Sequence, residues 1–264
     1  MSTPNCDILI QGGGPVGLAC AAWILQKFPD TSLTLIDRNP ANDDDLVTAD
    51  SRGIALSHGS KLLLDTIHAW PNESAQIHKV HVSQAGRFGR ALMTREELNQ
   101  DALGHIIRYR DIHVTLRQSL RLIQSRSPHF EWLHINKEIE PPKLKAKCIV
   151  HAEGGLFTKQ DWVESGRDYG QSALVGLVEV ENAIPHQAWE RFTSEGPLAI
   201  LPSHYGPNTL NLVWCGSPES SQHRLRLNDD DFLKSLQSEF GSRIGRFLKI
   251  QDRRHLIVGE AVRT

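Results

Sequence analysis

The sequence predicts an α/β fold, in which a doubly wound, mostly parallel sheet is accompanied by an antiparallel sheet. A short apolar run at 8–10 leads into a glycine-rich turn and a longer apolar segment, and a second apolar run follows at 33–36. Further along, the alternating segments 198–201 and 209–215 are separated by a polar turn. The order strand, turn, helix, strand is typical of a parallel sheet, whereas alternating segments joined by short turns indicate antiparallel strands.

The composition is that of a globular chain and excludes several classes of protein. The chain has 264 residues, 39% of them hydrophobic and 23% charged, with a net charge of -2, so no overall basic field attracts nucleic acid. The four cysteines lie far apart, which argues against a disulfide framework and a cysteine zinc site. Because the N-terminus lacks the features of a signal peptide, we expect a cytoplasmic protein.

The uncharged stretch 8–26 allows three interpretations: a membrane helix, a secretion signal or a nucleotide-binding turn. Gln11, three consecutive glycines and Pro15 interrupt the stretch after its first three apolar residues. A membrane span needs about 20 mostly apolar residues that are helical together. The stretch is therefore predicted to be a strand, a loop and a helix.

Three glycines in this loop have the spacing G-x-G-x-x-G: Gly12, Gly14 and Gly17, with Pro15 at the start of the predicted helix. In nucleotide-binding turns the first glycine makes the tight turn and the second lets the backbone approach a pyrophosphate. The third lets the helix pack closely on the strand. The helix N-terminus adds unpaired N–H groups and a partial positive charge. We therefore predict a Rossmann-like dinucleotide site.

An acidic residue, Asp37, ends the second apolar run and is followed by Arg38. It lies about 20 residues beyond the glycines, where a carboxylate accepts hydrogen bonds from an adenosine ribose. The alternative is a glycine turn that merely connects two elements, with Asp37 on the surface. The coincidence of strand, turn, helix, strand and acid favours the dinucleotide site. These residues alone do not distinguish NAD from FAD.

The segment SRGIALSHGSKLLLDTI places Arg52 on a predicted loop, before a helix with Leu62, Leu63 and Ile67 facing the core. Taken alone, the arginine would be a solvated loop residue. The segment resembles the FAD-dependent aromatic-ring hydroxylases (class A flavoprotein monooxygenases) of the ubiquinone-biosynthesis branch, in which a similar R-x-x-A-L-S-x-G-S stretch follows the second strand. By this resemblance Arg52 lies along the FAD.

The segment LGHIIRYRDIHVTLRQSL resembles the strand of this family that enters a helix touching the cofactor. Asp111 is the predicted N-cap, and Ile112, Leu116 and Leu120 form the apolar stripe of the helix. The resemblance places His113 where the family has a polar residue contacting FAD.

The run AWERFTSEGPLAILPSHYGPNTLNLVW is similar to a run in the substrate domain of the same family. Its alternation predicts two antiparallel strands, and the segment 172–180 supplies a third. The segment NDDDFLKSLQSEFG predicts a capped amphipathic helix with Phe232, Leu233, Leu236 and Phe240 facing inward.

The chain departs from the family pattern in two places. After the predicted strand 147–151, Glu153 and Gly154 stand where the family has Asp-Gly, and the usual downstream arginine is not evident. The family is also longer, with a Gly-Asp motif and a proline- and glycine-rich loop near the flavin. We therefore expect a C-terminally truncated member. The alternative is a non-catalytic remnant that binds at most the ADP part of FAD.

Other kinds of site have little support in the sequence. The pairs His78/His81 and His129/His134 have no nearby cysteine, so no metal site is expected. No G-x-S-x-G segment indicates a serine hydrolase. An NAD-linked dehydrogenase would leave the similarity of the second half unexplained.

We expect residues 1–75 and 100–170 to form an FAD-binding domain, and 76–99 and 171–255 to form a substrate domain. The resemblance implies a monooxygenase that uses FAD, O2 and NAD(P)H as a transient reductant. Its substrate would be an aromatic ring, a prenylated phenol or quinone precursor, reached by peripheral contact with the inner membrane face. No catalytic side chain is predicted, because in such enzymes the cofactor carries the chemistry.

Overall fold

A computed structural model of the chain describes residues 5–38, 52–136, 142–154 and 165–262. Within these ranges the chain alternates between helices and strands in a mixed α/β order. In chain order the elements are β1 Cys6–Gln11, α1 Pro15–Lys27, β2 Leu33–Asp37, β3 Gly53–Ser57, α2 His58–Thr66, β4 Ala75–Ile77, β5 Lys79–Gln84, β6 Arg90–Thr94, β7 Gly104–Arg108, α3 Tyr109–Gln124, β8 Phe130–His134, β9 Ala146–His151, β10 Ser165–Val180, β11 Gln187–Phe192, β12 Pro197–Leu201, β13 Thr209–Gly216, α4 Pro218–Arg226, α5 Asp229–Phe240 and β14 Phe247–Val262.

Four strands form a parallel sheet in the order β8-β2-β1-β9. The chain therefore runs outward from β1 on one side to β2 and β8, and then returns to the other side of β1 at β9. This reversal beside β1 is the topological switch point at which doubly wound sheets bind ligands, outside the carboxyl ends of the strands. The predicted doubly wound sheet is confirmed.

The N-terminal strand, loop and helix form where the sequence predicts them. Residues of β2 are all buried, as expected for a parallel strand covered on both faces. Helix α1 begins at Pro15, whose missing N–H costs nothing in the first turn. Its small residues Ala21 and Ala22 are fully buried, and the helix packs against α3.

The second large sheet has seven strands in the order β14-β10-β13-β12-β11-β5-β6. Most neighbours are antiparallel, and β11 pairs with β5 in parallel. One face of β13 carries Leu210, Leu212 and Trp214, which pack with Phe232 and Phe240 of α5 in one core. The predicted antiparallel sheet and its amphipathic helix are confirmed.

A third, three-stranded sheet has the order β3-β7-β4. The chain divides into two compact units, and this sheet brings Arg52–His58 and Glu73–Ile107 into the second unit, together with the seven-stranded sheet. The parallel sheet belongs to the first unit. The predicted domain bounds place 52–58 and 100–107 with the parallel sheet, whereas β3 and β7 are neighbours in this small sheet. The domain bounds themselves stay a prediction.

Two helical details differ from the prediction. In α2, Leu62 and Leu63 are exposed and Leu64 is buried instead, whereas Ile67, directly after the helix, is buried as predicted. In α3 the N-cap position is Arg108, and Asp111 lies in the first turn, where its carboxylate pairs with Arg108. The stripe formed by Ile112, Leu116 and Leu120 is buried as predicted.

Among the described residues no helix combines the length and the apolar character needed to cross a membrane. The apolar stretch near the N-terminus is divided between β1 and α1, with the glycine loop between them.

Candidate nucleotide-binding site

The glycine loop lies at the carboxyl ends of β1, β2 and β9. Gly12 N donates to Ile36 O at 2.9 Å, and Ala152 N donates to Gln11 O at 2.7 Å. Gly12 has a φ of 113°, and a Cβ on it would overlap the backbone of Ala152. Since this conformation and this space exclude larger residues, glycine is required for the turn to pass between β2 and β9.

The third glycine of the motif permits a close approach within the loop. A Cβ on Gly17 would overlap the carbonyl oxygen of Gly12. Helix α1 therefore begins directly against the turn, as expected for the packing role of this glycine.

The middle glycine is the N-cap of α1. Among the described residues, the nearest atom to a Cβ built on Gly14 is the Tyr109 hydroxyl oxygen at 3.9 Å, so the backbone here is not crowded. The cap has no side-chain hydrogen bond, and the first turn has no acidic residue. An uncapped N-terminus of this kind offers N–H donors and a positive end to an anionic group. The loop and helix fit a pyrophosphate.

Asp37 lies beside this loop and is completely buried, so it is not the surface residue of the alternative interpretation. Its carboxylate lies so near Gly13 that a Cβ there would overlap it. Arg117 Nη1, also fully buried, donates to Asp37 Oδ2 at 2.9 Å. The carboxylate is thus held at the loop by an arginine of α3, and this pair joins α3 to the end of β2.

Two aromatic side chains of β8 lie beside this ion pair. Trp132 Nε1 donates to Asp37 Oδ2 at 3.3 Å, and the Arg117 guanidinium lies 5.1 Å from the Trp132 ring centroid. The His134 ring stacks on Trp132 with centroids 5.1 Å apart. Hydrogen bonds and a cation–π contact therefore compensate for part of the lost hydration of both charges.

His113 supports the glycine loop from α3. It is buried, and its Nε2 lies 2.8 Å from the carbonyl oxygen of Gly13. Because a carbonyl oxygen only accepts, Nε2 carries the proton and donates to it. The structure thus shows His113 holding the backbone of the loop; a direct contact with the cofactor stays a prediction.

Glu153 and Gly154 follow β9, on the other side of the loop. Both are exposed, and Glu153 Oε2 lies 4.0 Å from His151 Nδ1. The Glu153 backbone nitrogen is against Gly12. The segment where the downstream arginine of the family is expected, 155–164, lies outside the described residues.

The remaining two predicted site residues are arginines. Arg38 directly follows Asp37 at the carboxyl end of β2 and is exposed. Arg52 lies immediately before β3, in the second compact unit, and is partly buried. The first unit therefore brings together nine of the predicted residues, and the role of Arg52 stays a prediction. Those nine are Gly12, Gly14, Pro15, Gly17, Asp37, Arg38, His113, Glu153 and Gly154.

Arg117 and Trp132 were missed by sequence reasoning. Arg117 lies four positions after His113 and one after Leu116, within the buried side of α3. An arginine at that place in an apolar stripe indicates a buried charge that needs a partner. Its partner, Asp37, could not be recognised, because the two are 80 positions apart.

In the second unit, the face of the seven-stranded sheet opposite α5 carries side chains with shifted pKa values. Glu190, Val213 and, by alternation, Asn211 and Cys215 share this face. Burial raises the pKa of the Glu190 carboxyl, and burial followed by the Glu190 charge raises the pKa of the Cys215 thiol. Perturbed groups on a sheet face of this kind are candidates for ligand contacts.

No group of three or more histidine, cysteine, aspartate or glutamate side chains with the geometry of a metal site occurs in the described part of the chain. The rings of His78 and His186 stack on each other, with their centroids 4.2 Å apart.

Comparisons with known proteins agree with the resemblance. No family model matches the chain. The chain is 24% identical over 268 residues to the mitochondrial ubiquinone biosynthesis monooxygenase COQ6 of Rattus norvegicus, covering 89% of the chain and 55% of that protein. It is 26% identical over 262 residues to the 3-demethoxyubiquinol 3-hydroxylase of Escherichia coli K12, covering 93% of the chain and 66% of that protein.

The resemblance to the ubiquinone-biosynthesis hydroxylases is confirmed. The chain spans about half the length of the COQ6 relatives that it matches. Among solved structures, it superposes on p-nitrophenol 4-monooxygenase PnpA of Pseudomonas putida DLL-E4 with a TM-score of 0.64 at 14% identity, covering 100% of the chain and 70% of PnpA. At this identity the likeness shows the fold, which is that of the Rossmann-like flavoproteins.

Proposed function

We propose that this chain forms part of an FAD-dependent monooxygenase that hydroxylates an aromatic ring, a polyprenyl phenol or quinone precursor of ubiquinone biosynthesis. The observation that carries the proposal is the N-terminus of α1 at Gly14, which has no side-chain cap and follows Gly13, the glycine that lies against the carboxylate of Asp37. The names of the relatives support the reaction class and the substrate class.

In this proposal the residues of the first unit bind and orient the cofactor. Backbone N–H groups at Gly14 and the first turn of α1 would hold the pyrophosphate. The Asp37 carboxylate would accept hydrogen bonds from the ribose hydroxyls, with Arg38 at the rim of the ribose site. Arg117 keeps the Asp37 carboxylate oriented, and His113 keeps the loop in place. When bound, FAD supplies the redox chemistry, with NAD(P)H as the transient reductant and O2 as the oxygen source.

The sheet of the second unit is proposed to contact the aromatic substrate. Its face with Glu190, Asn211 and Cys215 combines apolar and polar groups, as ligand surfaces do. The Asn211 amide is held by a 2.8 Å hydrogen bond to the carbonyl of Pro202, so its orientation is defined. A polyprenyl tail would stay in lipid, and we therefore propose peripheral contact with a membrane.

Flavin retention tests this proposal directly. The purified chain is mixed with excess FAD, passed through gel filtration and examined by visible absorbance, with circular dichroism to verify folding. We expect retained flavin bands. In Gly14→Val the added side chain occupies the place where the pyrophosphate would approach the backbone, so binding should weaken about tenfold or more while the fold is kept. Gln26→Val, at the exposed opposite end of α1, is the matched control.

Two outcomes would contradict the proposal. If the Gly14→Val variant binds FAD as tightly as the unchanged chain, the glycine loop does not bind the phosphates of FAD. A folded, unchanged chain that retains no flavin would favour the alternative, a non-catalytic protein limited to the ADP moiety. Calorimetric titration with ADP then tests that alternative.

A further inference from the structure

The hairpin of β5 and β6 has an unusual surface for the margin of a sheet. Within the described residues, β6 is the last strand in the order of the seven-stranded sheet. The two strands pair from Lys79 opposite Thr94 to Ser83 opposite Arg90. The connecting turn contains Gly86 and Gly89, both with positive φ, and no atom of the described residues lies within 4 Å of a Cβ built on either. The tip therefore projects away from the described part of its own unit.

Apolar side chains of β6 and of the connecting turn are exposed, on both faces of the strand and at the tip. Phe88, at the tip, is fully exposed. Leu92 and Met93 are adjacent in β6, so they point to opposite faces, and each is nearly half exposed. Large exposed apolar groups that cluster in one element indicate an interaction site.

The charged side chains of the segment 74–95, which contains the hairpin, are all positive. From residue 74 to 95 the sequence contains no aspartate or glutamate, although the whole chain has a net charge of -2. Arg87 and Arg90 flank Phe88 and are both exposed. A protruding aromatic ring can enter an apolar layer, and arginines on either side of it can contact anionic groups at the boundary of that layer. A bilayer containing anionic lipid has this profile.

We propose that the β5–β6 hairpin is a membrane-docking element, which inserts Phe88 into the headgroup region of an anionic bilayer while Arg87 and Arg90 contact lipid phosphates. Leu92 and Met93 extend the inserted surface on the two faces of β6. This inference rests on the proposed membrane contact and adds the part of the molecule that makes it. A second copy of the chain pairing along β6 would use the strand backbone and would leave the arginines of the tip without an acidic partner in the hairpin.

Vesicle co-sedimentation tests the proposal. The chain is incubated with vesicles of phosphatidylcholine alone or with phosphatidylglycerol added, at low and high salt. We expect binding to the anionic vesicles that weakens with salt. Phe88→Ser should lower the partition coefficient about tenfold, and Arg87→Glu about fivefold or more. Phe28→Ser and Arg126→Glu, at other exposed positions, are the matched controls and should bind like the unchanged chain.

Three results would overturn the proposal. The first is that the unchanged chain does not bind anionic vesicles. The second is that Phe88→Ser and Phe28→Ser change vesicle binding equally. The third is that the unchanged chain does not bind vesicles but forms a concentration-dependent dimer in sedimentation velocity, and that Phe88→Ser abolishes this dimer. The assay needs no flavin. A chain that binds vesicles through the hairpin but retains no FAD would contradict the proposed function and leave this inference standing.

Discussion

At the scale of residues, the ion pair between Asp37 and Arg117 holds a carboxylate beside the glycine loop of the candidate site. Both side chains are fully buried, so each has lost its hydration, and their mutual attraction together with Trp132 compensates for that loss. Buried pairs of this kind contribute little net stability, but removal of one partner leaves an uncompensated charge. Their effect here is to fix the orientation of the carboxylate at the glycine loop.

Replacement of Arg117 by methionine should destabilise the chain strongly. Because Asp37 would stay buried without the opposite charge of Arg117, we expect the free energy of unfolding to fall by about 3–5 kcal/mol, measured by urea denaturation. Arg121→Met, at an exposed position on the same helix, should change it by less than about 0.5 kcal/mol. The double variant Arg117→Met/Asp37→Asn should recover part of the loss. A loss below about 1 kcal/mol for Arg117→Met would mean that the pair is not buried as described.

A second residue, His81, should make stability depend on pH. It is buried against the Trp189 ring, with centroids 4.7 Å apart. Burial, and then the charges of Arg243 and Arg90, lower its pKa below the ordinary 6.5. The unfolded chain therefore binds a proton more readily than the folded chain, so stability should decrease as the pH falls below about 6.5.

His81→Phe, which keeps a ring against Trp189, should show a smaller decrease over that pH range. Urea midpoints at about pH 7 and about pH 5.5 measure the difference. His223→Gln, at an exposed position of α4, is the control and should lose stability like the unchanged chain. Equal pH dependence of His81→Phe and the unchanged chain would contradict the prediction.

At the scale of elements, the helices differ in how their N-termini are capped. Ser217 caps α4 by accepting from Ser220 N, and Asn228 caps α5 by accepting from Asp231 N at 2.9 Å. Helix α3 has an acidic residue in its first turn. Helix α1 has neither a side-chain cap nor an acid, so its positive end stays available to an anion.

Removal of the α5 cap should have a moderate, local effect. Asn228→Ala deletes the acceptor for Asp231 N, and we expect the free energy of unfolding to fall by about 1 kcal/mol, measured by urea denaturation. Asn228→Ser keeps an acceptor and should restore most of it. A loss in Asn228→Ser as large as that in Asn228→Ala would mean that the cap hydrogen bond is not responsible.

At the scale of the whole molecule, the chain leaves and re-enters the parallel sheet. Strands β1 and β2 are followed by three strands and a hairpin of the second unit before β8 and β9 complete the sheet. The second unit contains its own core around Trp214 and the helix α5. Each unit thus buries apolar surface within itself, and the candidate nucleotide residues of the parallel sheet all come from the first unit.

The sequence by itself determined the features that depend on near neighbours. The strand, glycine turn and helix at the N-terminus, the alternation of β12 and β13 and the capped helix α5 all follow from residues within a few positions of each other. The tertiary structure alone decided the pairing of Asp37 with Arg117, the burial of Leu64 instead of Leu62 and Leu63, and the placement of β3 and β7 in a separate sheet. These depend on which distant segment supplies a hydrogen-bond partner or covers a side chain, and no local spacing carries that information.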